Sequence, residues 1–390
     1  MQQSILKFGM VGGGEGSLIG DIHCRGAMFD RLSVIAAGCF SRDAAKSAIT
    51  GERLGIAPDR IYATYQEMAE KEAAREDRIH YVVIVTPNRS HYEIAKAFLL
   101  QGFHVVCDKP VTIEESEARE LERLAEERGL LFGVTYTYSG YPMVKQAREL
   151  IRQGEIGEII SVIAEYPQEW VLHATEPSWR MDARQGKSCC VADIGVHVAH
   201  TVSYITGLEI DSLCADLQTH GTLTELDNHA NILLKYTGGA TGMYWCSQVA
   251  VGSKNGLRIR LFGTKGSLEW QHERSEELQL CVKGKPFQLL SRGRDPMHPA
   301  AAAFNRLPGG HPEGLYEAFA NIYAAFGGEL SRLLRDRTLD GAEPADYPRI
   351  REGADGVRFV DKCLESSDKG SVWVKYGSSA AASEAAAAAE

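Results

Sequence analysis

Several features that mark other classes of protein are missing from this sequence. No apolar run approaches the roughly 18 residues that a bilayer-spanning helix needs. The start, Met1-Gln2-Gln3-Ser4, lacks the basic and apolar regions of a signal peptide. The formal net charge is -10, whereas nucleic-acid binding needs a cationic surface to meet the phosphates. We therefore expect a soluble, cytoplasmic protein with neither a membrane nor a nucleic-acid partner.

The cysteines have no regular spacing. The chain has nine of them, an odd number, and apart from the adjacent pair Cys189-Cys190 they are scattered, without a CxxC pair. Disulfide frameworks and structural zinc sites usually need cysteines paired at short, regular intervals. We therefore expect reduced thiols rather than disulfides or a zinc site.

The length of 390 residues exceeds one ordinary core and predicts two domains. In the first, taken as residues 1–138, short apolar runs alternate with amphipathic helical stretches. Its candidate strands are Leu6–Gly12, Ser33–Phe40, His80–Thr86, His104–Cys107 and Leu130–Tyr136. Runs such as Tyr81–Val85 are apolar throughout, which is typical of parallel strands covered by helices on both faces. We predict a doubly wound α/β domain with a parallel sheet.

The pattern changes after about residue 150, and the second domain is taken as residues 139–376. Its candidate strands are Ile159–Tyr166, His229–Tyr236, Ala240–Ser247 and Leu257–Phe262. Its candidate helices are Asp193–Ile205, Pro312–Leu334 and Ile350–Ser366. Alternating strands joined by tight turns predict an α+β domain with a mostly antiparallel open sheet. Residues 377–390 form a low-complexity tail of Gly, Ser, Ala and Glu with little to bury.

The first candidate strand runs into a glycine-rich turn, Gly12-Gly13-Gly14-Glu15-Gly16-Ser17-Leu18-Ile19-Gly20. Glycines let the backbone turn tightly and approach a pyrophosphate, which then lies at the N-terminus of the next helix. The spacing is irregular, because Gly14-x-Gly16 reaches Gly20 one residue late. With a strand before and a helix after, the turn nevertheless predicts a Rossmann dinucleotide-binding domain, in which Gly12, Gly14 and Gly16 contact the cofactor.

The end of the second strand bears on the choice of cofactor. An acidic side chain there would bind the ribose hydroxyls of NAD, but Phe40 and Ser41 occupy that position. Arg42 follows, and Lys46 comes one turn later. Ser41, Arg42 and Lys46 suit the 2′-phosphate of NADP. Asp43 could still bind a ribose, and Arg42 could be an ordinary solvated charge. We expect NAD(P) as the cofactor, with NADP favoured.

Three short segments combine polar side chains in a way that is typical of a ligand site. Thr86-Pro87-Asn88, with His91 three residues later, follows one strand of the first domain, and Asp108-Lys109-Pro110 follows the next. Ligands of open α/β sheets bind beyond the carboxyl ends of the strands. The expected cofactor contacts are Thr86, Pro87, Asn88, His91, Asp108 and Lys109. The third segment, Asp193-Ile194-Gly195-Val196-His197, opens a helix of the second domain.

Through these segments the sequence resembles the Gfo/Idh/MocA family of oxidoreductases, which includes glucose–fructose oxidoreductase and inositol dehydrogenase. The resemblance extends from the glycine-rich turn to Val372-Trp373-Val374. Family members usually carry Glu-Lys-Pro where this chain has Asp108-Lys109-Pro110, and Asp193 and His197 match their Asp-x-x-x-His motif. The resemblance implies nicotinamide-dependent hydride transfer with a secondary hydroxyl or keto group of a sugar, inositol or sugar derivative. It also implies a homo-oligomer, a dimer or tetramer, that associates through the sheet of the second domain.

Chemistry gives three of these residues catalytic roles. Neutral His197 can accept the hydroxyl proton as hydride leaves the carbon. Asp193 lies four residues earlier, on the same face of a helix, and could hold the imidazole or the substrate. Lys109 would stabilise the developing alkoxide. The alternatives are a core histidine, a helix N-cap and a solvated lysine. His197 and His200 form His-x-x-His, but no third or fourth ligand stands at the usual spacing, so we expect no metal.

Residues 136–180 are rich in aromatic rings, which pack against the CH faces of sugars while Arg and His donate to hydroxyls. The expected substrate contacts are Tyr138, Trp170, His173, Arg180 and, because relatives place a similar segment near the substrate, His311. Core packing is the alternative for these positions. Two other functions stay open. One is an NAD-dependent glycosidase that oxidises the ring transiently, and the other is a non-catalytic cofactor-sensing binding protein.

Overall fold

The computed structural model describes residues 5–294, 297–339 and 343–377. The helices are α1 (Leu18–Met28), α2 (Ala44–Arg53), α3 (Tyr65–Ala73), α4 (His91–Leu100), α5 (Glu115–Glu127), α6 (Pro142–Arg152), α7 (Trp170–His173), α8 (Val196–Thr206), α9 (Pro299–Ala302), α10 (Leu315–Asp336) and α11 (Ile350–Asp368). The strands are β1 (Leu6–Gly12), β2 (Ser33–Cys39), β3 (Tyr81–Val85), β4 (His104–Cys107), β5 (Phe132–Val134), β6 (Ile159–Pro167), β7 (Ile210–Gln218), β8 (His229–Tyr236), β9 (Thr241–Ser247), β10 (Arg258–Gly263), β11 (Gly266–Gln271), β12 (Glu277–Val282), β13 (Gln288–Ser291) and β14 (Val374–Lys375).

Two compact units divide the chain. The first comprises the residues up to Tyr141 together with Glu313–Ala354, and the second comprises Pro142–Pro312 and the residues from Asp355 onward. None of the described helices is both long enough and apolar enough to span a membrane. The expected low-complexity tail lies outside the described residues, apart from Gly377.

The first unit contains a parallel sheet of five strands in the order β2-β1-β3-β4-β5. All five residues of the central strand β3 are buried, which explains its unbroken apolar sequence. An isolated parallel bridge between Gly38 and Ile61 adds a sixth position beside β2. The order then becomes that of the Rossmann fold. The predicted doubly wound parallel sheet is confirmed.

The segment Glu313–Ala354 belongs to the first unit, although the sequence assigned it to a continuous second domain of residues 139–376. The reason is the apolar stripe of α10. Phe319, Ile322, Tyr323 and Phe326 lie in one buried cluster with side chains of β1, β2 and β3. Within this unit the hydroxyl of Tyr323 lies 2.7 Å from Nδ1 of His23 on α1. The amphipathic helix α10 thus completes the core of the first unit, whose other parts lie about 300 residues earlier in the chain.

The second unit contains a sheet of nine strands in the order β13-β12-β11-β10-β6-β9-β8-β7-β14. The pair β6 and β9 is parallel, and the other neighbouring pairs are antiparallel, which confirms the predicted mostly antiparallel sheet. β8 alternates buried and exposed residues, with Ala230, Ile232 and Leu234 buried. β7, β11, β12, β13 and β14 were not predicted from the sequence.

We expect His104 to make the stability of the protein depend on pH. Its Nδ1 accepts a hydrogen bond from Leu131 N at 2.9 Å, and burial lowers its pKa from 6.5 to about 4. Between pH 4 and pH 6.5, therefore, His104 is largely protonated in the unfolded chain but neutral in the folded protein. The contribution of neutral His104 to the free energy of unfolding is complete above pH 6.5 and is lost as the pH falls toward 4. Between pH 7 and pH 5 it amounts to about 2 kcal/mol.

Urea denaturation at the two pH values measures this contribution. His104→Asn keeps an acceptor for Leu131 but cannot titrate, so its free energy of unfolding should fall by about 2 kcal/mol less than that of the unmodified protein. His173→Asn is the control, because the His173 side chain is 70% exposed. An unchanged pH dependence in His104→Asn would contradict the prediction.

Candidate active site

A glycine-rich turn joins β1 to α1 and brings strand and helix into backbone contact. A β-carbon at Gly20, in the first turn of α1, would lie 2.3 Å from the Cα of Gly13. Gly12 has a φ of +86°, and a β-carbon there would lie 2.9 Å from the carbonyl oxygen of Val85. Such a turn allows a pyrophosphate to approach the backbone at the helix N-terminus. Gly20 is therefore the third glycine of the fingerprint, the one that allows close packing of helix and strand.

The other predicted glycines of the turn differ from one another. A β-carbon at Gly14 would lie 2.9 Å from the carbonyl oxygen of Phe40, whereas Gly16 is exposed with nothing within 4 Å of that position. Ser17 is the N-cap of α1, and its Oγ accepts a hydrogen bond from Gly20 N at 3.1 Å. The residues of the turn therefore fit a dinucleotide, although Gly16 has no packing requirement for glycine.

The segment after β2 presents a hydroxyl and two cations. Phe40 is buried against Gly38, so its ring does not lie at the surface. The carboxylate of Asp43 is the N-cap of α2 and accepts hydrogen bonds from the backbone of Ala45 and Lys46, at 2.9 and 3.2 Å. Ser41 Oγ accepts from Asp43 N at 3.1 Å, and the Arg42 and Lys46 side chains are exposed. The Asp43 carboxylate thus stabilises the start of a helix.

His91 joins the segments that follow β3 and β4. Its imidazole is fully buried, with Nδ1 2.9 Å from the carbonyl oxygen of Pro110 and Nε2 2.7 Å from that of Thr86. Burial lowers the pKa of His91, while Asp108 and the two carbonyl groups act in the opposite direction. Thr86 also contacts Ser90, whose Oγ donates to its hydroxyl at 2.8 Å. His91, which the sequence predicts as a cofactor contact, ties together two segments of the first unit.

Asp108 also has its hydrogen-bonding partners inside the first unit. Its Oδ1 accepts from the backbone N of Lys109 at 2.9 Å and from Thr135 Oγ1 at 3.0 Å, and lies 3.7 Å from His23 Nε2. Burial raises the pKa of Asp108, but the interaction with His23 and the charge of Lys109 outweigh it and hold that pKa well below its ordinary value. The carboxylate is therefore ionised and fixes the backbone of Lys109. The sequence had predicted a cofactor contact here.

In the second unit, Asp193 lies on a π-helical turn that precedes α8. The turn spans Val191–Gly195, so the predicted helix begins in π geometry and becomes α-helical at Val196. Asp193 Oδ1 accepts from Arg180 Nε at 3.4 Å, and Oδ2 accepts from Gln248 Nε2 at 3.0 Å. π-turns inside helices are frequent at functional sites. Both oxygens of Asp193 thus have a donor that sets the orientation of the carboxylate.

His197 follows in the first turn of α8. Its ring is half-buried, and its centroid lies 6.4 Å from that of Tyr166 on β6. The Tyr166 hydroxyl donates to Asn255 Oδ1 at 2.6 Å, which fixes the tyrosine ring in turn. An imidazole that is partly accessible and supported by an aromatic ring can exchange a proton with a ligand.

Sequence reasoning missed Asp227, whose buried carboxylate contacts the start of the same helical segment from a distant position in the chain. It accepts hydrogen bonds from Ser188 Oγ at 3.0 Å and from three successive backbone N–H groups, those of Cys189, Cys190 and Val191, at 3.2, 3.1 and 3.0 Å. Burial raises the pKa of Asp227, although these donors lower it in part. The residue precedes a strand in a polar loop, and nothing in its neighbours distinguishes it from a solvated aspartate.

The predicted substrate residues are dispersed. Tyr138 is buried in the first unit and stacks on Tyr141, with ring centroids 6.1 Å apart. Trp170 packs against an apolar cluster in the second unit, whereas the His173 side chain is 70% exposed. Arg180 stacks its guanidinium on Trp179 at 4.5 Å, and its Nε donates to Asp193. The structure therefore brings Arg180 to a predicted catalytic residue.

His311 is exposed, in a loop that a buried arginine organises. Arg292 donates to the carbonyl oxygens of Leu307 and His311 and pairs with Glu276. A cavity of about 800 Å³ in the same unit is lined by residues that include Lys254, Arg258 and His272, and by none of the predicted site residues. In the described part of the chain, no three His, Cys, Asp or Glu side chains come together as a metal site.

A Rossmann unit with a dinucleotide-type turn, joined to a sheet unit that carries an aspartate and a histidine on one helical segment, defines the class of two-domain nicotinamide-dependent oxidoreductases. Family models agree with this class. Residues 6–136 match the oxidoreductase family with an NAD-binding Rossmann fold, and residues 144–269 match the GFO/IDH/MocA C-terminal domain. The chain belongs to the Gfo/Idh/MocA family of oxidoreductases.

Two of the relatives cover nearly the whole chain, and a third covers a little more than half of it. The uncharacterized oxidoreductase YfiI of Bacillus subtilis is 37% identical over 95% of this chain and 97% of its own length. An inositol dehydrogenase homologue from Azotobacter vinelandii, solved in complex with NADH and myo-inositol, is 36% identical, with a TM-score of 0.89 over 96% of this chain and 98% of its own. Levoglucosan dehydrogenase of Pseudarthrobacter phenanthrenivorans is 29% identical over 57% of this chain and 63% of its own length.

We expect Gly20→Ala to weaken binding of the nicotinamide dinucleotide by roughly tenfold or more, because the new methyl group would force β1 and α1 apart at the turn. It should also lower the free energy of unfolding by about 2 kcal/mol. Quenching of tryptophan fluorescence measures binding, and urea denaturation measures stability. Gly328→Ala is the control, since Gly328 lies on the exposed side of α10 with open space around it. Unweakened binding by Gly20→Ala would show that the close contact is dispensable.

Proposed function

We propose that the protein is an NAD(P)-dependent dehydrogenase acting on a secondary hydroxyl of a sugar, an inositol or a sugar derivative. In the oxidative direction the carbinol carbon would lose its hydrogen as hydride, for which a nicotinamide cofactor held at the glycine-rich turn would supply the acceptor. The O–H bond breaks at the same carbon, its proton goes to His197, and the product is the ketone. The reverse reaction reduces the keto form. The bound nicotinamide supplies the hydride acceptor or donor.

The arrangement around Asp193 is the observation that carries this proposal. A carboxylate with donors on both oxygens, four residues before a half-buried imidazole, can accept a substrate hydroxyl in a fixed direction. In this proposal Asp193 orients the substrate or the His197 imidazole, and His197 takes the proton at its ring nitrogen. A polyol suits such a group, because neighbouring hydroxyls offer donors for the carboxylate.

Lys109 has the electrophilic role in this proposal. Its backbone N is held by Asp108, and the carbonyl of Pro110, the next residue, lies 2.9 Å from Nδ1 of His91. A lysine whose backbone is fixed in this way can present an ammonium group to the substrate oxygen, where negative charge develops in the transition state. The Azotobacter relative, bound to NADH and myo-inositol, supports the substrate class.

The test begins with the unmodified protein, NAD(H) and NADP(H), and a panel of pyranoses and inositols followed at 340 nm. With an active polyol in hand, His197→Asn and Lys109→Met should each lower kcat/KM by roughly 100-fold or more, because each removes a group that acts in the transition state. Binding of the dinucleotide by His197→Asn should stay unchanged. His220→Asn is the matched control on an exposed histidine of the second unit.

The outcomes separate the alternatives. Near-normal turnover by His197→Asn would contradict its assignment as the base. Cofactor that survives purification, with glycoside cleavage and no net change at 340 nm, would indicate the transient-oxidation glycosidase. Cofactor binding without turnover of any compound would indicate a cofactor-sensing protein.

We infer that the cofactor site accepts the 2′-phosphate of NADP(H). Asp43 is engaged at the N-terminus of α2, so the exposed Arg42 and Lys46 side chains, with the Ser41 hydroxyl, set the charge near that position. A phosphate prefers cations and a hydroxyl, whereas a carboxylate facing it would repel it.

The double variant Arg42→Ala/Lys46→Ala should therefore weaken binding of NADP(H) by roughly tenfold or more and leave NAD(H) binding nearly unchanged. Fluorescence titrations with the four dinucleotides measure the difference. Arg53→Ala, an exposed arginine in the last turn of α2, is the control. An equal loss for both cofactors, or no NADP(H) binding by the unmodified protein, would contradict this inference.

We also propose that the protein is a homo-oligomer, a dimer or tetramer, that associates through the sheet of its second unit. Leu233 and Met243 are cross-strand partners on one face of this sheet, and their side chains are 48% and 43% exposed. Phe262 on β10 is 40% exposed on the same face. Apolar side chains gathered on one open face favour burial against a second copy.

A further inference from the structure

We propose that Gln248 is a positioning residue for the reaction, acting through Asp193, and this inference rests on the proposed function. Gln248 is the first residue after β9, and its side chain is completely buried. It lies 55 positions from Asp193 in the chain, outside every motif that the sequence analysis singled out. No family motif named above includes it.

The side-chain amide of Gln248 bridges Cys189 and Asp193. Its Oε1 accepts a hydrogen bond from Cys189 Sγ at 3.2 Å, and its Nε2 donates to Asp193 Oδ2 at 3.0 Å. Because the thiol donates to the oxygen end, the nitrogen end must face the carboxylate, which can only accept. The amide therefore has one orientation, and that orientation fixes one oxygen of Asp193.

The backbone of Gln248 is fixed as well. Its N donates to the carbonyl oxygen of Asn228 at 2.8 Å, and its carbonyl oxygen accepts from Val171 N at 3.2 Å. Asn228 is itself fully buried, and its side chain exchanges two hydrogen bonds with the backbone of His220, at 2.9 and 2.7 Å. The donor that reaches Asp193 is thus mounted on rigid backbone rather than on a mobile loop.

A neutral amide is suited to this task. It donates to the carboxylate without adding a charge, so Asp193 keeps its negative charge for the imidazole or a substrate hydroxyl. Arg180, whose side chain is 38% exposed, donates to the other oxygen at the longer distance of 3.4 Å. Gln248 makes the shorter hydrogen bond and is the more deeply buried of the two donors, so it sets the orientation of the Asp193 carboxylate.

The first experiment compares Gln248→Met, which keeps length and volume but removes the donor, with the unmodified protein. kcat/KM for the active polyol should fall roughly tenfold or more, mainly in kcat, with unchanged dinucleotide affinity. Gln146→Met is the control, because Gln146 is equally buried in the second unit but accepts from His298 N. In an Asp193→Asn background, Gln248→Met should cost less than twofold, since a residue acting through Asp193 has nothing left to orient. If the fold-loss in kcat/KM of the double variant equalled the product of the losses in the two single variants, the proposal would be overturned.

A second variant gives a signature that a packing role would not produce. In Gln248→Glu the new carboxyl group can donate to Asp193 only while it is protonated. Cys189 Sγ contacts the side chain at this position, Asp227 accepts from the backbone of Cys189, and Arg180 donates to the other oxygen of Asp193. The activity of Gln248→Glu relative to the unmodified protein should therefore be highest at low pH and fall as the pH rises, when two carboxylates face each other. A ratio that does not depend on pH would overturn the proposal.

Failure of the proposed function would be recognised separately, by the absence of turnover in the unmodified protein. The Gln248–Asp193 interaction is then tested by ¹³C NMR of carboxyl-labelled aspartate, with the Asp193 signal assigned by its loss in Asp193→Asn. The signal should titrate at higher pH in Gln248→Met than in the unmodified protein or Gln146→Met, because a donor to the charged form has been removed. Identical titrations in all three proteins would overturn the inference.

Discussion

The helical segment that carries Asp193 and His197 depends on one buried carboxylate at its start, that of Asp227. Asp227 accepts hydrogen bonds from Ser188 and from the backbone of residues 189–191. The first N–H groups of a helix have no partner within it, and an anion near that end is favoured by the helix dipole. Here the helix start is buried, so water cannot serve as a substitute. Without this cap the π-turn that carries Asp193 would begin with unsatisfied donors.

The first unit uses the same strategy at its strand ends. Both ring nitrogens of His91 face backbone carbonyl groups, and Oδ1 of Asp108 faces Thr135, His23 and the backbone of Lys109. They set the backbone positions of Thr86 and Lys109. In both units, therefore, buried polar residues hold the backbone of residues that the proposed function uses.

Local pattern in the sequence was enough to predict the class of fold. Buried apolar runs such as β3, and alternating ones such as β8, follow from the residues next to each other, and so does the identity of the glycine-rich turn. Gly20 was harder to assign because its role depends on a contact with Gly13 across the turn rather than on a fixed count of residues.

The supporting residues were beyond the reach of the sequence for a related reason. Gln248 and Asp227 act on positions more than 30 residues away, and neither stands in a pattern that distinguishes it from a surface residue. The direction in which a side chain points was equally hidden. His91 and Asp108 have the residue types and the spacing of ligand contacts, and only the fold shows their hydrogen bonds to Pro110 and Thr135 within the first unit.

The return of Glu313–Ala354 to the first unit has a consequence for synthesis on the ribosome. Phe319, Ile322, Tyr323 and Phe326 belong to the core that β1, β2 and β3 begin, so this core stays incomplete until α10 has left the exit tunnel. One side of the first sheet thus stays uncovered while residues Pro142–Pro312, most of the second unit, are synthesised. N-terminal fragments that stop before this segment would carry that uncovered face permanently, which makes them natural clients for chaperones.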